Sequence, residues 1–228
     1  MADRGGRVLV WDLPTRLFHW GLALCFAGSW ITAEAGFEWT QTHFYFGYAT
    51  LGLLTFRILW GLIGPRYARF SSFPIAPARL WAAIKTLFSA RAGDYAGHNP
   101  LGSLAVIALL LLMASQATSG LFISDDIAWS GPYNGAVSSD MAGQLAGWHH
   151  TNFSLLQGMV ALHLLAMLWY HFRKKENLVG PMITGRKVTE HAAATNDWPK
   201  ALLVIVLSAL AVWALLYFAP PPAPVSYF

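Results

Sequence analysis

Trp148-His149-His150-Thr151-Asn152-Phe153-Ser154-Leu155-Leu156-Gln157-Gly158-Met159-Val160-Ala161-Leu162-His163 is a largely apolar run with a histidine near each end. Read as an α-helix at about 100° per residue, the fourteen steps from His149 to His163 fall about 40° short of four full turns, so both imidazoles leave one face. With a rise of about 1.5 Å per residue they stand roughly 21 Å apart along the axis. One face thus carries two nitrogen ligands, towards opposite sides of a layer of bilayer dimensions.

The composition says what kind of chain surrounds that helix. Of 228 residues, 56% are hydrophobic and 11% charged, where a soluble domain has about 25% charged, and the mean hydropathy is +0.45. This predicts an all-α integral membrane protein. The single cysteine, Cys25, lies inside an apolar run; that excludes a disulfide framework and a C-x-x-C-H site for covalent haem, and leaves packing as its expected role. The first apolar run is too long for the h-region of a signal peptide, so the first helix is expected to stay and span.

Apolar runs place spans at about residues 16–35, 44–63 and 101–123, a fourth from His149 to the stop at Arg173-Lys174-Lys175, and a fifth at about 198–218 that leads to a Pro-rich tail. The expected organisation is a four-helix haem-binding domain over residues 1–187, followed over 188–228 by a connector, one additional transmembrane helix and the tail. Residues 8–14 are expected to lie along the membrane surface, with Asp12 or Thr15 capping the first helix. Residues 78–88 read as an amphipathic helix on the membrane surface, with Leu80, Trp81, Ile84, Leu87 and Phe88 on its apolar side. Residues 124–147 read as a loop rich in Gly, Ser and Asp. There is no 20–50-residue repeat and no nucleotide-binding glycine fingerprint.

The net charge of +4 raises nucleic acid as a partner, but its distribution points to the bilayer instead. Lys and Arg fall before the first span, between the second and third, or after the fourth, with Arg57 at the inner end of the second. Glu34, Glu38, Asp125, Asp126 and Asp140 fall on the other side. That asymmetry predicts a cytoplasmic N-terminus and, after five spans, a periplasmic C-terminus in a bacterial inner membrane.

Histidines inside spans are expensive in hydrocarbon, so each asks for a partner or a function. By depth, His43 and His149 belong near the outer ends of their helices, and His19 and His163 towards the cytoplasmic side. A lone histidine at a helix end is ordinarily an interfacial polar residue; four at two matched depths are not so easily explained. No carboxylate lies within the spans to complete a zinc or mononuclear iron site. Axial ligation of haem is the chemistry that needs so few protein donors, and two histidines per iron favour electron transfer over oxygen binding. His150 is an alternative to His149 if the register is off by one, and His171 reads as interfacial. Gly47, four residues after His43, either admits a flat macrocycle or serves helix packing. Arg57, and with it Arg16, is paired with the propionates of the inner haem; for Arg16, snorkelling to the headgroups is an equal alternative.

These residues resemble the prokaryotic cytochrome b561 family and the related cytochrome b subunits of formate dehydrogenases and nickel-iron hydrogenases. The likeness is carried by residues 10–20 (VWDLPTRLFHW), His43-x-x-x-Gly47-Tyr48, Phe56-Arg57-x-x-Trp60-Gly61, Trp148-His149 with His163, and Arg173-x-x-Glu176-Asn177-Leu178 through Thr184-Gly185-Arg186-Lys187. The resemblance implies a four-helix core holding two non-covalent haems b, with His19, His43, His149 and His163 as ligands, and a quinone partner. His150 departs from the acidic residue the family commonly has there, and the fifth span lies outside the four-helix core.

The expected function is electron transfer between a redox partner and the membrane quinone pool, with either a c-type cytochrome or an oxidoreductase subunit docking outside. Two alternatives stand beside it: a superoxide:ubiquinone oxidoreductase acting on its own, and a membrane anchor subunit of a larger complex. Outer loops with five acids and no Lys or Arg argue against collecting an anion such as superoxide.

Overall fold

The computed structural model describes residues 6–89, 93, 95–125 and 128–221. Among them are seven α-helices: α1 (Leu13–Glu34), α2 (Thr40–Ile63), α3 (Pro77–Lys85), α4 (Pro100–Gly120), α5 (Ser139–Arg173), α6 (Val179–Thr184) and α7 (Trp198–Tyr217). Two three-residue strands, β1 (Arg7–Leu9) and β2 (Arg186–Val188), complete the set. The chain is an all-α integral membrane protein. Among the described residues, four segments are long and apolar enough to cross a membrane: Phe37–Ile63, Pro100–Gly120, Ser139–Arg173 and Trp198–Tyr217. Helix α1 has 22 residues, about 33 Å at the α-helical rise, but Arg16, His19 and its tryptophans lower its apolar content. Its exposed row, Leu17, Leu24 and Ile31, repeats every seven residues and so gives it an apolar stripe like those of its companions.

The chain divides into two compact units, and each of the five long helices gives a part to both. The first unit comprises Met1–His19, Arg57–Leu109 and Gly158–Val204, and the second Trp20–Phe56, Leu110–Gln157 and Ile205–Phe228. All fifteen Lys and Arg fall in the first; the second has five acids and no Lys or Arg. The contact-defined division therefore coincides with the charge asymmetry.

In the first unit, β1 and β2 pair antiparallel, with Arg7 opposite Val188 and Leu9 opposite Arg186. Within residues 8–14, the segment expected along the membrane surface, Val8 and Leu9 belong to this paired strand and Val10, Trp11 and Asp12 are buried in the protein. The ladder continues irregularly: Val10 and Trp11 donate their N–H groups to the Gly185 carbonyl at 2.8 and 3.1 Å, and Ala194 N–H to the Leu9 carbonyl at 2.6 Å. Gly185 sits at φ 79°, where a Cβ would lie 2.7 Å from the Trp11 carbonyl oxygen. Only glycine fits both the left-handed cap of α6 and that close approach. Val10, Trp11, Tyr67, Ala96 and Ala194 form the small core of this clasp. Lys187 joins it to Glu176 at 2.7 Å and to the Tyr95 carbonyl at 2.7 Å.

Asp12 starts α1. Its carboxylate accepts the Thr15 hydroxyl at 2.5 Å, the Thr15 N–H at 3.4 Å and the Trp60 indole N–H at 2.9 Å, so one buried side chain caps α1 and pins it to α2. Burial nevertheless raises its pKa above the ordinary carboxylate value. Helix α3 leaves Trp81 and Ile84 exposed, with the Lys85 ammonium over the Trp81 ring; an apolar face with basic ends suits a membrane surface.

In the second unit, α5 begins at Ser139, so residues expected to end a loop form its first turns, with Asp140 at the positive end of the helix dipole. The preceding segment folds back on the end of α4: Gly131 N–H donates to the Ile123 carbonyl and Tyr133 N–H to that of Leu121, both at 2.8 Å. The Tyr133 hydroxyl reaches the Leu215 carbonyl of α7 at 2.7 Å. The polar residues near the end of α4 serve helix contact. Ser115 accepts the Trp148 indole N–H at 2.7 Å, and the buried Asn152 amide donates to the Gln116 side chain at 2.7 Å and the Leu112 carbonyl at 2.9 Å.

Candidate functional site

Each unit brings two histidines opposite one another. In the second, His43 from the first turn of α2 meets His149 of α5, with ring centres 6.4 Å apart and planes at 68°. In the first, His19 of α1 meets His163 of α5 at 6.5 Å and 50°. Helix α5 thus supplies one member of each pair from one continuous stretch of helix.

The hydrogen bonds of the second unit's pair fix which ring nitrogen is available. The Nδ1 of His43 lies 2.9 Å from the Ser29 carbonyl. A carbonyl only accepts, so Nδ1 carries the proton and Nε2 keeps its lone pair. His149 Nδ1 lies 3.0 Å from the Ser119 hydroxyl oxygen, whose own hydrogen goes to the Gln116 carbonyl at 3.0 Å. His149 Nδ1 is therefore a donor as well, and Nε2 again is left bare. An Nδ1–H held by an acceptor is the usual support of a metal-ligating imidazole: it orients the ring and makes Nε2 more basic. Gly120 stands behind His149; a Cβ there would lie 3.2 Å from the ring carbon Cε1.

Among the described residues, no group of three or more His, Cys, Asp or Glu converges to hold a metal ion. A metal between either pair would have two protein donors, and its remaining positions would have to come with it. The spacing tests this directly. An imidazole centre lies about 1.1 Å from Nε2 and a first-row metal–imidazole bond is about 2.0–2.1 Å, so two rings on opposite sides of one metal stand about 6.2–6.4 Å apart. The observed 6.4 and 6.5 Å fit a haem iron held from both faces.

The other expected residues divide. Gly47 lies one turn along α2 from His43, and a Cβ there would meet nothing within 4 Å; it borders open space, as a slot for a flat ring requires. His150 is exposed and turned edge-on to His149, so His149 is the one that faces His43. His171 is exposed against Phe172. Arg57 is buried, donates from Nη1 to the Ala68 carbonyl at 2.9 Å and lies 4.5 Å over the Phe70 ring. Arg16 donates from Nη1 to the Ile183 carbonyl at 2.5 Å, while its Nε is buried with no hydrogen-bond partner among the described residues. Asp126 lies outside the described residues.

Three participants carry no sequence signal. Ser29 acts through its backbone carbonyl, which any residue supplies. Ser119 is one of several small polar residues near the end of α4, and only the structure brings it to His149. His98, in the segment before α4, packs against Trp11 and Phe73 with ring centres 4.7 and 5.1 Å away.

Comparison with known proteins follows the same lines. The family model described as prokaryotic cytochrome b561 matches residues 10–185. Among curated proteins, the chain is 24% identical over 208 residues to a probable Ni/Fe-hydrogenase B-type cytochrome subunit of Cupriavidus necator, covering 77% of this chain and 85% of that one. It is 21% identical over 220 residues to a probable Ni/Fe-hydrogenase 1 B-type cytochrome subunit of Escherichia coli K12, covering 82% and 93%. No solved structure matches.

Proposed function

The chain belongs to the prokaryotic cytochrome b561 family, a haem b protein of membrane electron transfer, and from that premise we propose that it joins a redox partner to the quinone pool through two bis-histidine haems. The observation that carries this is the pair of facing histidines in each unit, at spacings that fit one six-coordinate iron apiece. His43 and His149 hold one haem, His19 and His163 the other, and α5 ties the two sites together through a single element. Haem b supplies a one-electron iron couple at each. The protein's part would be to hold each iron between two histidine nitrogens, which would keep small ligands off the metal and lower the rearrangement that each change of charge requires.

The charge distribution supports a cytoplasmic N-terminus, with the Lys- and Arg-bearing segments inside and the acidic loops outside. Relatives named as hydrogenase cytochrome subunits support an oxidoreductase partner, so the chain works as the haem-bearing membrane subunit of such a complex or accepts a basic c-type cytochrome. The superoxide reading is disfavoured because the second unit has no Lys or Arg to attract an anion. The test is a pyridine haemochrome assay on purified protein with low-temperature spectroscopy of the iron. Two haems per chain, both low-spin, are expected; one haem per chain, or a high-spin centre, rejects the two-site reading.

A further inference from the structure

Arg16 Nε and His98 Nδ1 are buried nitrogens of the first unit with no hydrogen-bond partner among the described residues. They come from distant parts of the sequence, α1 and the segment before α4, and both belong to the unit that contains His19 and His163. Arg16 is one turn before His19 on α1. Burial first, and then the neighbouring Arg57, His19 and His163, drive the His98 pKa down to about 3. The ring is therefore neutral in the protein alone and can offer one N–H. With its proton on Nδ1, His98 joins Arg16 as a buried donor without an acceptor, which is unfavourable, and an anionic or carbonyl acceptor would satisfy both.

Arg57 does not fill this role. Its guanidinium already holds the Ala68 carbonyl and the Phe70 face, and Asp12 shares its electrostatic surroundings. The cation of Arg16 has no such carboxylate among the described ion pairs. A haem b carries two ionised propionates on one edge, which need donors where the macrocycle is buried.

We infer that His98, through Nδ1, and Arg16, through Nε, hold the propionate edge of the haem carried by His19 and His163. This rests on the proposal above that those two histidines are its ligands. Trp11 and Phe73 pack against the His98 ring, and Arg16 is anchored by the hydrogen bond from its Nη1 to the Ile183 carbonyl, so both side chains are set in place by protein contacts. Neither residue touches the iron; both are binding residues for the cofactor's edge.

The experiment compares His98→Phe, which retains an aromatic ring but loses the donor, with His98→Asn, whose amide N–H replaces Nδ1–H. Detergent-purified holoprotein is examined by resonance Raman in the propionate-bending region and by transfer of haem to excess apomyoglobin. His98→Phe should shift the propionate band of one haem and speed its loss roughly 10–100-fold, the size of one lost hydrogen bond to a charged group; His98→Asn should restore both. If His98→Phe does not assemble, Arg16→Met carries the same two readouts. Parent-like bands and transfer rates in the donor-less variants overturn the assignment, as does an effect confined to quinone reduction, which would make a quinone carbonyl the acceptor. Failure of the ligand reading is seen separately: a His163→Ala variant would then keep both haems.

Discussion

At the scale of single residues, the site is a set of nitrogen atoms whose roles follow from what each is bonded to. His43→Ala or His149→Ala should remove one spectral component, and His19→Ala or His163→Ala the other, in potentiometric titration. Loss of the same component from His19→Ala and His43→Ala would break the pairing. Ser119→Ala tests the support of the ligand: it deprives the His149 Nδ1–H of its acceptor, weakens haem retention by about 10–100-fold and, by making Nε2 less basic, raises that haem's midpoint potential. An unchanged potential would assign Ser119 to helix packing alone. The four histidines are legible in the sequence because a basic side chain in a span is costly and their depths match in pairs. Their supports are not: Ser29 contributes a main-chain carbonyl, and His98 sits in a loop, where a histidine excites no suspicion until its burial is known.

At the scale of elements, long apolar runs announce themselves and short ones do not. Helices α2, α4 and α7 start within about four residues of where hydropathy places them, since some twenty apolar residues in succession have little alternative to a membrane helix. The first turns of α5, Ser139 to Gly147, are illegible: Gly, Ser and Asp lower helix propensity, and the helix extends through them by continuing a nucleus already formed. The strands β1 and β2 are shorter still, three residues each, and their pairing is decided by contacts about 180 residues apart in sequence. Gly185 is the residue on which that clasp depends. Gly185→Ala must place a Cβ in the left-handed region and against the Trp11 carbonyl, at a cost of about 1–3 kcal/mol. A lower apparent Tm in detergent is expected, with both haems bound at low temperature; an unchanged Tm would mean that the clasp adds nothing to stability.

At the scale of the whole molecule, fifteen basic residues in one unit and only acids in the other set how it meets its surroundings. Glu34, Glu38 and Asp140 are exposed, whereas Asp125 accepts the N–H groups of Ala128 and Trp129 and shapes its own loop. Neutralising the first three to Gln, Gln and Asn should slow electron exchange with a basic c-type cytochrome at low salt and flatten its dependence on ionic strength, because exposed charges are screened over about 10 Å at 0.1 M. Stopped-flow traces that match the parent across a salt series would exclude acidic docking. The β1–β2 pairing also imposes an order of events on biogenesis. Strand β1 leaves the ribosome before its partner, which starts at Arg186 and follows only after some 180 more residues, roughly 10–35 s at ordinary rates of translation. Until then residues 7–9 are an open strand edge, the kind of surface that recruits a neighbour's backbone. A chain stalled before β2 exposes that edge indefinitely, so incomplete translation products carry their own mark for aggregation or capture, and the completed protein conceals it.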